Sequence, residues 1–245
     1  MTIGLPSPAT EPAPNDPSKS RATPISPLAF APVGDGVSVV ALYETQFEPS
    51  LCHPDELALL RGNVVSKRRN EFSLGRCAAR LALQNSGYKT FSPLLQKVGR
   101  EPAWPTGFVG SITHCGKWAI AAAAKADSVH SIGIDLEDSS AILVDEMIDL
   151  VCTEAERTLM FGTRSPKQEL AAVFSAKEAA YKALFPICHK FFAFHAIELL
   201  WLPERCIFIG TLREELAADF PPGYCLTIGC QHHADFVFTH AVVRN

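Results

Sequence analysis

Residues 131–138 read SIGIDLED, and this stretch decides how the fold is interpreted. Its apolar residues predict a buried β-strand, on which successive side chains alternate between the two faces of a sheet. Asp135 and Glu137 therefore point one way, while Ile134 and Leu136 point the other way. Two neighbouring carboxylates repel each other and lose hydration, and a divalent cation would remove both penalties. The alternative is a strand end that emerges into solvent, where both acids stay hydrated.

A second motif follows on a predicted helix over residues 167–184, which Pro186 is expected to stop. Residues 174–186 read FSAKEAAYKALFP, and Glu178 and Lys182 share one helical face because they stand four residues apart. Such a pair is either ordinary support of an exposed helix or part of a site. Together with the acidic strand it supplies a third carboxylate and an ammonium group. Hard oxygen ligands of this kind favour Mg²⁺ with a phosphate substrate.

The elements predicted around these motifs make an α+β protein. Strands are expected over residues 37–43, 118–124 and 131–137, with helices over 54–60 and 64–86, the latter ended by Gly87. Thr153 and Glu156 form a capping box that opens another helix. Residues 191–243 alternate strands with turns at 203–204, 221–223 and 233–235. This order predicts two halves, 37–128 and 129–245, with the boundary near 125–129.

Residues 1–36 are predicted to be a flexible or loosely attached leader. They hold eight of the 18 prolines and a single aromatic residue, Phe30. Such a composition buries too little apolar surface to offset the cost of ordering.

The charge is unevenly distributed. With 22 basic and 26 acidic side chains the net charge is −4, and 47% of residues are hydrophobic, which excludes collagen-like, coiled-coil and wholly disordered chains. Residues 61–100 nevertheless hold nine basic residues and one acid, Glu71, which leaves the rest of the chain at −12. This asymmetry predicts a site for a polyanion. Arg69, Arg76 and Arg80 lie roughly on one helical face, as either a solvated basic surface or a row aimed at phosphates.

Residues 100–120 add further candidate donors for a phosphate. Arg100, Thr113 and His114 precede Gly116, and small hydroxyl side chains before a glycine suit a turn that approaches an anion. A structural histidine is the alternative at position 114. Cys115 is a poor partner for His114 as a nucleophile, because adjacent side chains on an extended chain point apart.

The eight cysteines are expected to be free thiols in a cytoplasmic protein. The N-terminus has no secretory pattern, and no apolar run approaches the roughly 18 residues of a membrane span. Cys225, Cys230, His232 and His233 cluster in sequence, but their spacing matches no common zinc pattern.

Four ordered blocks resemble the Sfp-type 4′-phosphopantetheinyl transferases, in the branch of the enterobactin-synthetase transferase and its broad-range Pseudomonas relatives. The blocks are EFSLGRCAAR (71–80), PAWPTGFVGSITHCG (102–116), IGIDLE (132–137) and FSAKEAAYKALFP (174–186). The resemblance covers about residues 37–245. It implies two similar α+β halves packed side by side, with a pseudo-twofold relation and the active site in the cleft between them. The sequence departs from the family pattern in three places. The leader lies outside that pattern, Thr113-His114-Cys115 stands where many members have Ser-His-Ser, and Ala179 stands where many have Ser.

By this resemblance the chain moves the phosphopantetheine arm of coenzyme A onto a serine of an apo acyl or peptidyl carrier protein, releasing adenosine 3′,5′-bisphosphate. Asp135, Glu137 and Glu178 match the magnesium ligands, Glu178 also matches the candidate base, and Lys182 matches the lysine on the pyrophosphate. The resemblance also implies that the phosphates of coenzyme A are bound by Arg68, Arg76, Arg80, Arg100, Thr113 and His114. A monomer that binds neither nucleic acid nor a membrane is expected.

Two other functions stay open from the residues alone. The basic stretch could belong to a non-enzymatic module that binds coenzyme A or nucleic acid, with strongly salt-dependent RNA binding. The carboxylates could instead serve a magnesium-dependent pyrophosphate hydrolase that uses water in place of a carrier serine.

Overall fold

The computed structural model describes residues 28–60, 65–96, 101–160 and 164–245, except for the side chains of residues 159 and 160. Within these ranges the chain forms two antiparallel sheets, each covered by one long helix. The predicted α+β class is therefore confirmed. No helix in the described ranges combines the length and apolar character needed to cross a membrane.

The N-terminal half contains a three-stranded sheet in the order β1-β3-β2. The long helix α2 covers one face, and this face of β3 carries Ala119, Ala121 and Ala123, whose small side chains let the helix lie close. The bounds are β1 Ser38–Tyr43, α1 Pro54–Ala58, α2 Ser66–Asn85, β2 Phe108–Cys115 and β3 Trp118–Lys125.

The C-terminal half contains a five-stranded sheet in the order β4-β8-β7-β6-β5. Helix α5 packs along β4 and β8, and two shorter helices, α3 and α4, lie before it in the chain. The bounds are β4 Val129–Asp138, α3 Val144–Val151, α4 Glu154–Met160, α5 Pro166–Cys188, β5 Ile197–Leu202, β6 Ile207–Leu212, β7 Cys225–His233 and β8 Phe236–Arg244.

The two halves meet along the neighbouring edges of β2 and β4. The Ile134 N–H donates to Ser111 Oγ at 3.1 Å, so a side chain replaces the backbone ladder at this junction. Below it, Trp118 and Ile120 of β3 pack with Ile134 and Leu136 of β4 in a shared apolar cluster. The halves have three and five strands, and the implied pseudo-twofold relation between them stays a prediction.

Three predicted boundaries differ from the structure. Residues 28–36 are not a loose part of the leader, because Phe30 packs on Phe238 with ring centroids 4.2 Å apart. Pro186 does not stop α5 but lies inside its last turn, and the helix ends at Cys188 before His189 in the left-handed conformation. The segment before Gly116 is strand β2, and its turn is limited to the Gly116-Lys117 connection to β3.

Candidate active site

A glycine on β4 brings the two carboxylate motifs together. A Cβ atom added at Gly133 would lie 1.9 Å from the Ala179 carbonyl oxygen and 2.5 Å from the Ala183 nitrogen. Only a residue without a side chain permits this approach of α5 to the strand. Glu178 and Lys182 of the helix consequently lie beside Asp135 and Glu137.

Asp135 is the centre of the resulting cluster. It is 3% exposed, and its Oδ1 accepts hydrogen bonds from Lys182 Nζ at 2.6 Å and from Thr113 Oγ1 at 3.0 Å. Its second oxygen, Oδ2, is buried without a hydrogen-bond partner. A buried carboxylate oxygen without a partner is costly, so this atom indicates a place for a further ligand.

The other two acids are destabilised in their charged forms. Burial, followed by the charge of Asp135, raises the pKa of Glu137 to about 8. Burial also raises the pKa of Glu178, which the Lys182 ammonium partly offsets. Crowding of this kind is typical of groups that hold a cation or exchange protons.

The residues present fit a hard divalent cation, although they do not enclose one in this conformation. No three histidine, cysteine, aspartate or glutamate side chains in the described part of the chain converge on a single metal position. Instead, the Lys182 ammonium contacts Asp135 and supplies the nearest positive charge. The unpartnered Asp135 Oδ2 and the raised pKa values of Glu137 and Glu178 are the observations that favour a cation there.

Two cavities border the cluster. A cavity of about 390 Å³ lies between the halves and is lined by Trp104, Ser111, His130 and Lys182, among others. A second, of about 370 Å³, is lined by Glu178, Lys177 and a set of aromatic side chains that includes Phe191 and Phe192. Tyr181 contributes to both, and Lys182 and Glu178 each line one of them, so the α5 side of the cluster borders both cavities.

Arg68 and His114 form a separate pair on the N-terminal half. Both are exposed, and an Arg68 Nη1–H donates to His114 Nε2 at 3.4 Å. In β2, Thr113 lies opposite Ile120 and faces the C-terminal half, whereas His114 lies opposite Ala119 on the α2 side. The structure thus brings Thr113 to the acidic cluster but places His114 and Arg68 on the other face of the strand.

Arg80 is held within the N-terminal half, and its implied contact with coenzyme A stays a prediction. It is 2% exposed, and its guanidinium donates to Glu56 Oε1 at 2.7 Å, to the Leu51 carbonyl at 2.7 Å and to the Ser92 carbonyl at 2.8 Å. Every one of its nitrogens is therefore used within the N-terminal half. Its role is structural, because it ties α2 to the segments on either side.

Arg76 is also buried, at 4% exposure, so the alternative of a solvated basic surface is wrong for Arg76 and Arg80 and holds only for Arg69. Its guanidinium lies over the Phe72 ring at 4.6 Å, and its Nε has no hydrogen-bond partner. Burial lowers the pKa of Arg76 to about 10, so it stays a cation at neutral pH. Arg100 lies outside the described residues.

The cysteines take no part in the cluster. All eight are free thiols, and burial, with the charge of Glu137, raises the pKa of Cys115 to about 12. A thiol with so high a pKa is a poor nucleophile. Cys230 and His232 are within 3.6 Å of each other, but they belong to no metal-binding group in the described ranges.

The sequence reasoning missed Lys177, which is fully buried beside Glu178 and paired with Glu156 at 2.7 Å. Its signal was a lysine inside an otherwise alanine-rich apolar helix face. It also missed Tyr181 as the side chain shared by both cavities, because an aromatic residue at helical spacing is most often part of a core.

Comparison with known proteins decides the family. Residues 54–124 match the model of the 4′-phosphopantetheinyl transferase N-terminal domain, and residues 131–228 match the 4′-phosphopantetheinyl transferase superfamily. The 4′-phosphopantetheinyl transferase PptT of Mycobacterium tuberculosis is 36% identical over 80% of this chain and 86% of its own length. The chain belongs to the 4′-phosphopantetheinyl transferase superfamily.

Other relatives of this transferase support the assignment. The 4′-phosphopantetheinyl transferase Svp of Streptomyces mobaraensis is 35% identical over 66% of both chains, and enterobactin synthase component D of Escherichia coli K12 is 34% identical over 58% of this chain and 69% of its own. The first family match ends at residue 124 and the second begins at residue 131, so the boundary predicted near residues 125–129 lies between them.

Solved structures show only a distant likeness. The holo-[acyl-carrier-protein] synthase of Helicobacter pylori, in complex with coenzyme A, matches 46% of this chain and 99% of its own with a TM-score of 0.36 and 21% identity. The Thermotoga maritima synthase matches 45% of this chain and 61% of its own with a TM-score of 0.38 and 18% identity.

Proposed function

We propose that this 4′-phosphopantetheinyl transferase carries out its reaction in the cleft between the halves, where Asp135, Glu137, Glu178 and Lys182 meet. The observation that carries the proposal is that three carboxylates and one ammonium lie near one another on β4 and α5, beside two cavities. The transferred group is the phosphopantetheine arm of coenzyme A, and the acceptor is a serine of an apo acyl or peptidyl carrier protein.

The reaction exchanges a phosphoanhydride bond for a phosphate ester bond. The serine oxygen forms a bond to the phosphorus that carries the pantetheine arm, and the bond from that phosphorus to the bridging pyrophosphate oxygen breaks. Adenosine 3′,5′-bisphosphate leaves with this oxygen. The nucleophile belongs to the partner, which agrees with the unreactive Cys115 and with the acidic character of the cluster.

Glu178 is the candidate acceptor of the serine proton. A general base works best when its pKa lies near the working pH, and burial raises the pKa of this carboxyl toward that range. Glu178 also lines the 370 Å³ cavity, so its carboxylate is accessible from the side where a carrier serine could enter.

Asp135, Glu137 and Glu178 are the residues that would hold Mg²⁺, which when bound supplies positive charge to the pyrophosphate. Lys182 adds a second positive charge. Its side chain is 27% exposed and lines the 390 Å³ cavity, so its ammonium can contact a phosphate there. Charge placed in advance at the leaving group lowers the barrier to phosphoryl transfer.

Arg68 and His114 are exposed side chains with N–H donors that can bind a peripheral phosphate of coenzyme A, and Arg76 and Arg100 are further candidates. Thr113 would act indirectly, since its hydroxyl hydrogen is used on Asp135. A cytoplasmic monomer that acts without nucleic acid completes the proposal.

The decisive experiment incubates the protein with coenzyme A, Mg²⁺ and an apo carrier protein and follows the carrier's mass. We expect a gain of one phosphopantetheine arm. Asp135→Ala and Glu178→Ala should each lower kcat by about 10²–10⁴-fold, the usual range for loss of a proton-transfer or charge-stabilising group. An unchanged carrier mass in every condition would refute the transferase.

A hydrolase is separated by the same assay without the carrier. Release of adenosine bisphosphate at an undiminished rate when no carrier is present would show that water is the acceptor. Circular dichroism of each variant shows whether a lost rate comes from a lost fold.

A further inference from the structure

A fully buried ion pair lies directly behind the candidate base. Lys177 precedes Glu178 on α5, and its Nζ donates to Glu156 Oε2 at 2.7 Å and to the Val151 carbonyl at 2.8 Å. Both charged side chains are 1% exposed. Burial lowers the pKa of Lys177, which the Glu156 carboxylate opposes.

Together the two side chains connect α5 to three further elements. Glu156 Oε1 accepts from the Leu199 N–H at 2.7 Å, and its Oε2 accepts from the Thr153 N–H at 2.6 Å. The lysine thereby fixes α5 to the end of α3, the start of α4 and strand β5. Each carboxylate oxygen has a donor, so the network is well satisfied on its acidic side.

Stability alone does not explain such an arrangement. Removing two charges from water costs about as much as their attraction returns, and apolar replacements of similar volume are often no less stable. What a satisfied buried pair does supply is a fixed geometry. The presence of the pair is therefore better explained by how it positions the residues around it.

The explanation lies in the rotation of α5. Successive residues on a helix point about 100° apart, so fixing the direction of Lys177 also fixes the direction of Glu178. On the other side, the Gly133 contact with the Ala179 backbone sets the distance between the helix and β4. Together the two contacts determine both the approach and the rotational setting of the helix at the acidic cluster.

We propose that Lys177 and Glu156 act as a positioning pair that holds the Glu178 carboxylate in its catalytic direction. The proposal rests on the function proposed for Glu178. Lys177 Nζ is turned away from solvent toward Glu156 and so reaches no substrate itself. Its loss should affect the chemical step rather than the binding of coenzyme A.

The test replaces the pair without leaving a buried charge. In Lys177→Met with Glu156→Gln, methionine keeps an unbranched apolar side chain, and glutamine retains an oxygen for the Leu199 N–H. We expect kcat to fall about 10- to 100-fold, as for a displaced catalytic group, while KM for coenzyme A stays within threefold of wild type. Measurement at least 20 °C below the melting temperature of each variant keeps the enzyme folded.

The same two substitutions are then added to Glu178→Gln. If the pair acts through Glu178, kcat should fall no further in this background. An unchanged kcat in the first variant, or an equal additional loss in the Glu178→Gln background, overturns the positioning role.

Failure of the proposed function gives a different result. In that case wild-type protein transfers no arm, or Glu178→Gln alone retains the full wild-type rate. Either outcome removes the catalytic assignment of Glu178, and with it the positioning role, before the pair is considered.

Discussion

Lys182 contacts a carboxylate on another element rather than the one on its own helix. The spacing of four residues predicted a partnership with Glu178, but the structure pairs the ammonium with Asp135 at 2.6 Å. A helix-supporting pair would lie on a solvated surface, whereas Asp135 is almost fully buried. The lysine therefore balances the acidic cluster as a whole, which favours a site over simple support of the helix.

This placement ranks the two α5 residues. We expect Lys182→Ala to lower kcat by about 10- to 100-fold, because the remaining charges still face the pyrophosphate. This loss is smaller than the loss expected for Glu178→Ala. Single-turnover transfer to an apo carrier measures both variants directly. A larger loss at Lys182 than at Glu178 would reverse the roles proposed for them.

Two arginines that look equivalent in sequence should behave in opposite ways. Arg80→Met leaves Glu56 buried without its cation and should cost about 3–5 kcal/mol of unfolding free energy. Arg68→Met removes an exposed group and should leave stability within about 0.5 kcal/mol of wild type. Its expected effect is a KM for coenzyme A raised about tenfold.

Denaturant unfolding and steady-state kinetics on the same preparations test this contrast. The two variants share one substitution type on one helix, so each is the control for the other. Retained stability in Arg80→Met, together with a raised KM for coenzyme A, would contradict its structural assignment.

At the scale of elements, the contact between β4 and α5 is the most sensitive. Gly133→Ala places a methyl group against the Ala179 and Ala183 backbone, which cannot rotate away. We expect a loss of at least 1–3 kcal/mol in unfolding free energy and a lower kcat in the folded fraction, because the helix must move away from the acidic strand. Melting curves and transfer assays measure the two effects, and a wild-type kcat at full stability would show that this distance is unimportant.

The elements that were predicted well carry their own local signals. Helix α2 ends where Gly87 adopts a positive φ, and α4 begins with the Thr153–Glu156 capping box, which the structure confirms with reciprocal hydrogen bonds. Helix α3 was not predicted, although Val144, Met147, Ile148 and Val151 recur at helical spacing, because its eight residues are shorter than the window over which periodicity is judged. Periodicity predicts long helices and strands, whereas short elements depend on tertiary contacts that the sequence does not display.

The candidate site divides in the same way. Alternation along β4 correctly placed Asp135 and Glu137 on one face, because Ile134 and Leu136 pack into the apolar cluster on the other face. Helical periodicity alone could not tell that Arg76 and Arg80 turn inward, because the acid that binds Arg80 is Glu56, 24 residues earlier in the chain. Long-range partners of this kind become visible only once α1 is packed against α2.

At the scale of the molecule, residues 28–37 connect the two halves. Phe30 contacts Phe238 and His233, and the Ala31 backbone exchanges two hydrogen bonds with Gln231, before the chain enters β1 in the other half. Phe30→Ala should therefore lower the unfolding free energy by about 1–3 kcal/mol, as for a partly buried aromatic side chain. Phe47→Ala, at a site 41% exposed, is the matched control and should cost less than about 1 kcal/mol. Equal effects in urea titrations of the two variants would show that the connecting segment contributes nothing.

The uneven charge of the sequence can be assigned to particular places in the structure. Among the described residues of the basic stretch 61–100, Arg76 and Arg80 are buried in the N-terminal half while Arg68 is exposed, so these three do not share one solvated surface. The acids of β4 and α5, in contrast, converge at the junction of the halves. Negative charge is thus concentrated where a cation and a pyrophosphate are proposed, and positive charge is divided between structure and periphery.

Partly buried histidines should make the whole molecule sensitive to acid. Burial lowers the pKa of His240 to about 4, and its ring packs directly over Gly229 of the neighbouring strand. Between pH 6.5 and about 4 the unfolded chain binds a proton at this site and the folded chain does not, so the unfolding free energy falls as the pH falls through that window. A shift of this size corresponds to on the order of 3 kcal/mol.

His240→Phe keeps an aromatic ring and removes the titration, so its unfolding free energy should decline less between pH 6.5 and 4.5 than that of wild type. His232, whose pKa burial also lowers to about 4, retains part of the slope in this variant. Urea titrations at several pH values measure the difference, and parallel declines for the two proteins would contradict a buried, neutral His240.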